Sequence, residues 1–582
     1  MKLTKKNLLS SLALATVALA PLAPAAVPFL SPAPITASAE VVANDTSQRK
    51  ITLHKYAIDN LEDLGVRADG KPAKTGSALE SKLAGLDKLN GVKFKISRVK
   101  ALGTPAASLT NPDKQVLGKD YAIDTSYGMN GFTAGEQTGT TSGNGELIFD
   151  LGRGLAADGT YLVEEMDSTG VSVAGSSPLK TTEVKRKISP FFVHVPMTDR
   201  DTRDKLLYDI TVYPKNEVDH PLNPTKTIDG QKGSSLLAGL PFRWEATVDI
   251  NPSDFYWVAK QAGTIPGTNI PIVAGQDVYM DYFTITDALN PKTDLLSTKV
   301  QVLDGSNAWV DLTPNIDYTF TTGSVAMAPA STSKITLTQD GMKEISKTIS
   351  GAKKLRVVYE VKVNDPKFDG TIDNEFTVER KKQGLTPDVE KNSTKPQYFT
   401  GGFDIKKTAE DTGGTLAGAV FHIATSQADA KAKKFLATDG KSYPLGTSGV
   451  NFVTTTSKSN GLAAFDGLPL TWYTDTNNNG KQDDSEPTKA QADIKRDYWV
   501  VETKAPANYH LYGEPIPVTV DLETYKDATI ELSVNDKRDT DLPFTGGTGM
   551  KILITIAIGA IVIGTTMIVF EKKSLFDKKG RE

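Results

Sequence analysis

Between residues 48 and 536 the chain is a succession of short segments in which apolar and polar residues alternate: ITLHKYAID at 51–59, FKISRV at 94–99, YLVEE at 161–165, FRWEATVDI at 242–250, YFTITDA at 282–288 and YWVVETK at 498–504. Successive side chains of a strand point to opposite faces, so this period of two predicts half-buried strands. Gly, Asn, Asp and Pro clusters separate the segments, as turns require. Helical periodicity is scarce, and short helices are expected only around Leu61 to Leu89 and Ser426 to Phe435. The expected class is all-β, built of sandwiches. Breaks at Pro221 to Gly233 and Gly384 to Gly402 divide it into domains at 40–218, 219–398 and 399–539.

Two segments escape the alternation. Leu8 to Ala20 is apolar, follows Lys2, Lys5 and Lys6, and precedes the small residues Ala37-Ser38-Ala39, which reads as a secretory signal peptide over 1–39. Ile552 to Phe570 carries no charge and is long enough as a helix to cross a bilayer core of about 30 Å. Lys572, Lys573, Lys578, Lys579 and Arg581 follow it, a basic cluster that holds that end in the cytoplasm and leaves the rest outside. An exported chain would tolerate disulfides, yet this one has no cysteine, so covalent bracing must use other side chains. A net charge of −4 over 582 residues, with both signs interspersed, gives no footprint for nucleic acid. His54, His194, His220, His422 and His510 are scattered without metal spacing or a triad signature, so an enzyme has no support.

Leu542-Pro543-Phe544-Thr545-Gly546, the apolar span and the basic tail together resemble the cell-wall sorting signal of Gram-positive surface proteins. FDIKKTAEDTGGTLAGAVFHI, YWVVETKAP and IELSVNDK in the third domain resemble the B-type collagen-adhesin module, an immunoglobulin-like sandwich. PTKTIDGQKG, YFTITDALNP and GTIDNEFTV in the middle domain are similar to its A-type variant, and ITLHKYAID, LNGVKFKIS, GTYLVEEMD and YDITVYPKN mark a B-type-like first domain. The set resembles a shaft-forming major pilin, with YPKN as pilin motif and YWVVETKAP as E-box.

That resemblance implies a function. A pilin-type sortase would attack the Thr545–Gly546 bond, discard residues 546–582 with their transient membrane anchor, and pass the Thr545 acyl group to Lys215 of the next identical subunit. A housekeeping sortase would finally join the shaft to peptidoglycan. The implied setting is the cell wall and pilus surface of a Gram-positive bacterium, with minor pilins as further partners and no cofactor required. The competing class is a monomeric wall-anchored adhesin.

The resemblance also implies intramolecular isopeptide bonds, in which a buried Lys attacks an Asn amide beside an acid. Burial disfavours the charged amine and keeps the acid protonated, so the amine is nucleophilic and the acid can polarise the amide carbonyl. Alternation puts Ile51, Leu53 and Lys55 on one face, and likewise Tyr161, Val163 and Glu165, with Asn216 completing a set in the first domain. In the middle domain the set is Lys226, Asn374 and Asp287, with Asp249 as rival acid. In the third it is Lys407, Asn535 and Glu502, although alternation places Asn535 opposite Leu532 and Val534. Each bond is expected to join an early strand to the last strand of its domain. In YDITVYPKN the parity leaves Thr211, Tyr213 and Lys215 facing outward, so Lys215 is expected to be exposed at a strand edge.

Asp475, Asn477, Asn479, Lys481, Asp483 and Glu486 stand at positions 1, 3, 5, 7, 9 and 12 of a twelve-residue loop with Gly480 at position 6. This is the spacing of an EF-hand calcium loop, here expected between strands.

Overall fold

The structure is a computed structural model that describes residues 46–59, 69–260, 262–265, 268–324, 331–483, 485–524, 530–539 and 554–561. The expected signal peptide, the pentapeptide Leu542 to Gly546 and most of the apolar span lie outside the described residues. Residues 554–561 of that span are helical, and among the described residues no helix is long and apolar enough to cross a membrane.

The alternation becomes a chain of β-sheets around three cores. Phe242, Trp244, Ala246 and Val248 are all buried while Arg243, Glu245 and Thr247 turn away, so one strand supplies both a core face and a polar face. In the first domain Gln48–His54 lies between Glu146–Arg153 and Asp209–Val212, and a second sheet runs Phe191–Val195, Gly159–Glu165, Lys93–Ala101, Tyr121–Ile123. The middle domain faces two five-stranded sheets, one centred on Lys354–Val363 and the other on Tyr282–Ala288. The third packs Thr454–Thr456, Val420–Ala424, Lys495–Lys504 and Ile516–Asp521 against a sheet built on Gln397–Ala409.

The two helical expectations shrink to single caps and turns. Ser77 Oγ accepts from Glu80 N at the start of Ala78–Leu83, and Ser426 Oγ accepts from Asp429 N at the start of Gln427–Lys431. Each serine satisfies one of the donors that a helix start leaves open.

Strand Gln397–Ala409 runs without interruption through the boundary expected at residue 398. Its first residues pair with Gly370–Asp373 and Gly233–Ser234 of the middle domain, its later ones with Leu462–Pro469 and Ile530–Asp536 of the third. Leu237 reaches across to join the third domain's core, so these two domains share both a strand and an apolar contact.

The first joint is ionic instead. His220 stands between Asp254 of the middle domain, with Nδ1 3.0 Å from Oδ1, and Asp59 of the first, with Nε2 3.2 Å from Oδ1. Lys382 adds bonds to Asp254 at 2.7 Å and Glu217 at 3.0 Å, and Arg380 donates to the His220 carbonyl at 2.8 Å. Burial pulls the His220 imidazole down, but the two carboxylates overcome it and raise the pKa to about 9. A raised histidine pKa contributes stability that is complete below the ordinary value of about 6.5 and is lost as pH rises through about 9. The stability difference between the parent and His220→Asn, read from thermal unfolding, should therefore shrink between pH 6.5 and pH 9. A difference that grows with pH would contradict the bridge.

Candidate functional site: three buried lysine clusters

Each core holds a lysine sealed against a carboxyl group. In the middle domain the strand Thr225–Ile228 alternates so that Lys226 and Ile228 point inward, and Lys226 is 1% exposed. Its ammonium hydrogen-bonds Asp287 and lies 5.6–5.8 Å from the ring centres of Trp244, Tyr359 and Phe376. Burial pulls the amine's pKa down and pushes the acid's up, the pair's mutual attraction opposing both. Asn374, also buried, sits close enough to Asp287 to favour the charged carboxylate, yet neither of its amide atoms makes an aligned hydrogen bond. The three residues expected from the sequence thus meet. Asp249 does not join them; it pairs with Lys354 and Asn223 at the surface.

The first domain repeats the arrangement. Lys55 Nζ donates to Glu165 Oε2 at 2.9 Å, and Asn216 Nδ2 donates to the same oxygen at 3.1 Å and to the Arg186 carbonyl at 2.7 Å. Asn216 Oδ1 is buried without a partner, which leaves a carbonyl free to be polarised. Burial lowers the Lys55 pKa to about 8 against the attraction of Glu165, and neighbouring Lys215 lowers it further.

In the third domain the structure corrects the expectation. Lys407 is fully buried and lies 3.0 Å from Glu502, but its other partner is Asp536, not Asn535. On Ile530–Asp536 the inward residues are Leu532, Val534 and Asp536, so Asn535 turns outward, where Thr408 donates to its side-chain oxygen. Burial pushes the Glu502 carboxyl up to about 7 and raises Asp536 as well, both against the attraction of Lys407. A second correction concerns placement. Asn374 does not lie on the middle domain's last strand, because Phe376–Lys381 and Asp388–Lys391 follow it.

In the loop at 475–486, Gly480 takes the positive φ of +73° that a sharp turn needs. Glu486 is buried, and its carboxylate accepts Thr476 N at 2.7 Å and Asp483 N at 3.2 Å, while Asp475 accepts Gly480 N at 2.9 Å. Among the described residues no three Asp, Glu or His side chains stand where they could hold a metal together. The oxygen donors suit calcium in kind, but an ion would also need Asn477, Asn479 and the Lys481 carbonyl as ligands.

Residues 46–217 match the profile of the Gram-positive pilin subunit D1, N-terminal domain. The first domain is a Gram-positive pilin domain. Residues 401–538 match a SpaA prealbumin-like fold domain, and no curated protein sequence matches the chain. Among solved structures the chain is similar to the full-length major pilin SpaD from Corynebacterium diphtheriae, at 22% identity and a TM-score of 0.49, covering 85% of this chain and 98% of that one. It is also similar to the full-length major pilin RrgB from Streptococcus pneumoniae, at 14% identity and a TM-score of 0.42, covering 84% and 100%. A third similarity, at 14% identity and a TM-score of 0.40 with the same coverages, is to BcpA, the major pilin subunit of Bacillus cereus.

Lys215 closes the pilin domain, and its setting differs from the expectation of an exposed edge. Strand Lys215–Val218 lies between Tyr56–Ile58 and Val184–Arg186, all four of its residues are buried, and Lys215 is 9% exposed. Its Nζ lies 3.4 Å from the Tyr213 carbonyl. The parity count failed because Tyr213-Pro214 ends one strand, Asp209–Val212, and a new one in a different sheet begins after it. An amine-reactive reagent on the folded chain should therefore modify exposed Lys119 at least tenfold faster than Lys215, as peptide mass mapping would read. Equal rates would contradict the burial.

Proposed function

We propose that this chain is the structural shaft subunit of a covalently polymerised pilus on a Gram-positive surface, secreted, joined head to tail by a sortase, and not an enzyme. The observation that carries the reading is the pilin-domain match over 46–217, whose last three residues are Lys215, Asn216 and Glu217. In each joining step the Thr545 carbonyl passes from the sortase thioester to Lys215 Nζ, which loses a proton as the sortase thiol leaves. A head-to-tail link of this kind is heterologous and never closes, so it makes a fibre. Minor pilins and peptidoglycan are the remaining partners of this reading. Lys215→Ala should leave the chain folded and wall-linked but abolish the high-mass ladder on denaturing gels of wall extracts. A normal ladder would refute the role of Lys215, and a single wall-linked band from the parent would favour the adhesin reading.

The buried clusters support internal cross-links. Neutral Lys226 attacks Asn374 Cγ beside protonated Asp287, and ammonia leaves; Lys55 and Asn216 beside Glu165 form the equivalent pair. At Lys407 the geometry supports a different bond, with Asp536 Cγ as the centre attacked, Glu502 as the acid and water leaving. Intact mass should fall by about 17 Da for each Lys–Asn bond and about 18 Da for the Lys–Asp bond, the masses of the ammonia and water expelled. Asn535→Ala should leave the third-domain deficit in place, whereas Asp536→Ala should remove it; the reverse pattern would restore Asn535 as the partner.

Calcium in the loop at 475–486 belongs to the same reading, held by Asp475, Asn477, Asn479, Asp483, Glu486 and the Lys481 carbonyl. A ligand that binds only the folded state stabilises it by RT ln(1 + [L]/Kd), so chelation should lower the Tm of the full chain. An unchanged Tm, with Glu486→Gln equally indifferent to added calcium, would remove calcium from the account.

A further inference from the structure

Where the middle and third domains share strand Gln397–Ala409, four carboxyl groups gather at the crossing. Asp365 and Asp369 come from the middle domain's turn after Lys354–Val363, Asp404 from the shared strand, and Asp466 from Leu462–Pro469 of the third domain. Asp369 spans the joint directly, its Oδ1 accepting the Gly467 N–H at 2.7 Å. The fit is close on both sides. A Cβ on Gly402 would lie 2.5 Å from Asp369 Oδ2, and one on Gly467 would lie 2.6 Å from the Pro366 carbonyl oxygen, so only glycines let the two domains meet here. The cations facing the group are Lys367 from the same turn and Lys458 from the third domain; Glu531 faces Asp404, accepting its backbone N–H at 2.9 Å. Negative charge therefore predominates at a contact where Asp369, Asp404 and Asp466 are half-buried and Asp365 is exposed.

We propose that this cluster is a proton-operated brace, which tightens the joint between the middle and third domains as the medium acidifies through neutrality and loosens it above. When all four groups are charged they repel one another across the contact, and repulsion between groups partly screened from water is stronger than at an open surface. A proton taken up by Asp369 removes the charge nearest the joint while its Oδ1 keeps the Gly467 N–H. Burial foremost, then Asp466, Asp365 and Asp404, push the Asp369 carboxyl up to about 7 despite the Gly467 amide, and Asp466 is raised as well. A carboxyl raised on folding destabilises the folded joint fully above the raised value and is relieved as pH falls below it toward the ordinary range. This sign is opposite to that of the depressed carboxylates Asp59 and Asp254 at the first joint. Through neutrality, however, the two joints respond to acid in the same sense, because the bridging His220 also loses its contribution as pH rises toward about 9.

The absence of cysteine makes the test clean, because Ser297→Cys and Lys441→Cys place one spin label on each domain at exposed positions. Pulsed electron–electron resonance on the full secreted chain should give a narrower interdomain distance distribution at pH 5 than at pH 8, with a midpoint near the value of about 7. Asp369→Asn should give the narrow distribution at both pH values. Asp466→Asn, which removes one repelling charge and keeps Asp369, should move the midpoint to lower pH and serves as the decisive variant where Asp369→Asn does not fold. A width independent of pH in the parent, or a midpoint unmoved in Asp466→Asn, would overturn the proposal.

Discussion

An amine and a carboxyl group sealed in the same apolar core form the constraint on which the rest of this chain turns. As plain ion pairs such clusters are poor stabilisers, since removing both charges from water costs about as much as their attraction returns. The middle domain makes matters worse by burying both amide atoms of Asn374 without aligned partners, and each unsatisfied buried group costs roughly 1–3 kcal/mol. The aromatic rings around Lys226 soften the cost by offering their π faces. Condensation would relieve every one of these liabilities at once, because it turns a charged amine and an orphaned amide into one neutral linkage. The clusters make better sense as reactants than as finished contacts.

The sequence exposed most of this through parity. Lys55, Glu165, Asp287, Lys407 and Glu502 each fall in register with two apolar neighbours, Lys226 rests on the family resemblance, and the structure buries all six. Asn535 was the place where motif likeness and parity disagreed, and parity was right: Asp536, one residue on, shares the face of Leu532 and Val534. Lys215 failed for the complementary reason. Parity holds only within one strand, and a prolyl break at Tyr213-Pro214 is visible in the sequence, but the sheet that the next strand enters is not. The His220 bridge and the four-carboxylate joint were illegible altogether, since they depend on where separate domains meet: Asp59 to Asp254, and Asp369 to Gly467.

The order of elements also decides how such a subunit would carry load if the proposed bonds form. Tension entering at Lys215 would pass along residues 215–226, cross to Asn374, continue to Lys407, cross to Asp536 and leave toward Thr545. The pilin domain, residues 46–214, would hang from this path and feel none of it. Strand Gln397–Ala409 would bear load over nearly its whole length, and it is already extended, so it has nothing to give. Only the excursion from Asn374 through Phe376–Lys381 and Asp388–Lys391 remains folded and unbypassed, with its ends brought together where Asp373 pairs with Gln397. Paid out fully, residues 375–396 would add roughly 70 Å at about 3.3 Å per residue. The same placement of Asn374 ahead of two strands that departs from a first-to-last clamp therefore leaves one defined reserve of length in an otherwise inextensible subunit.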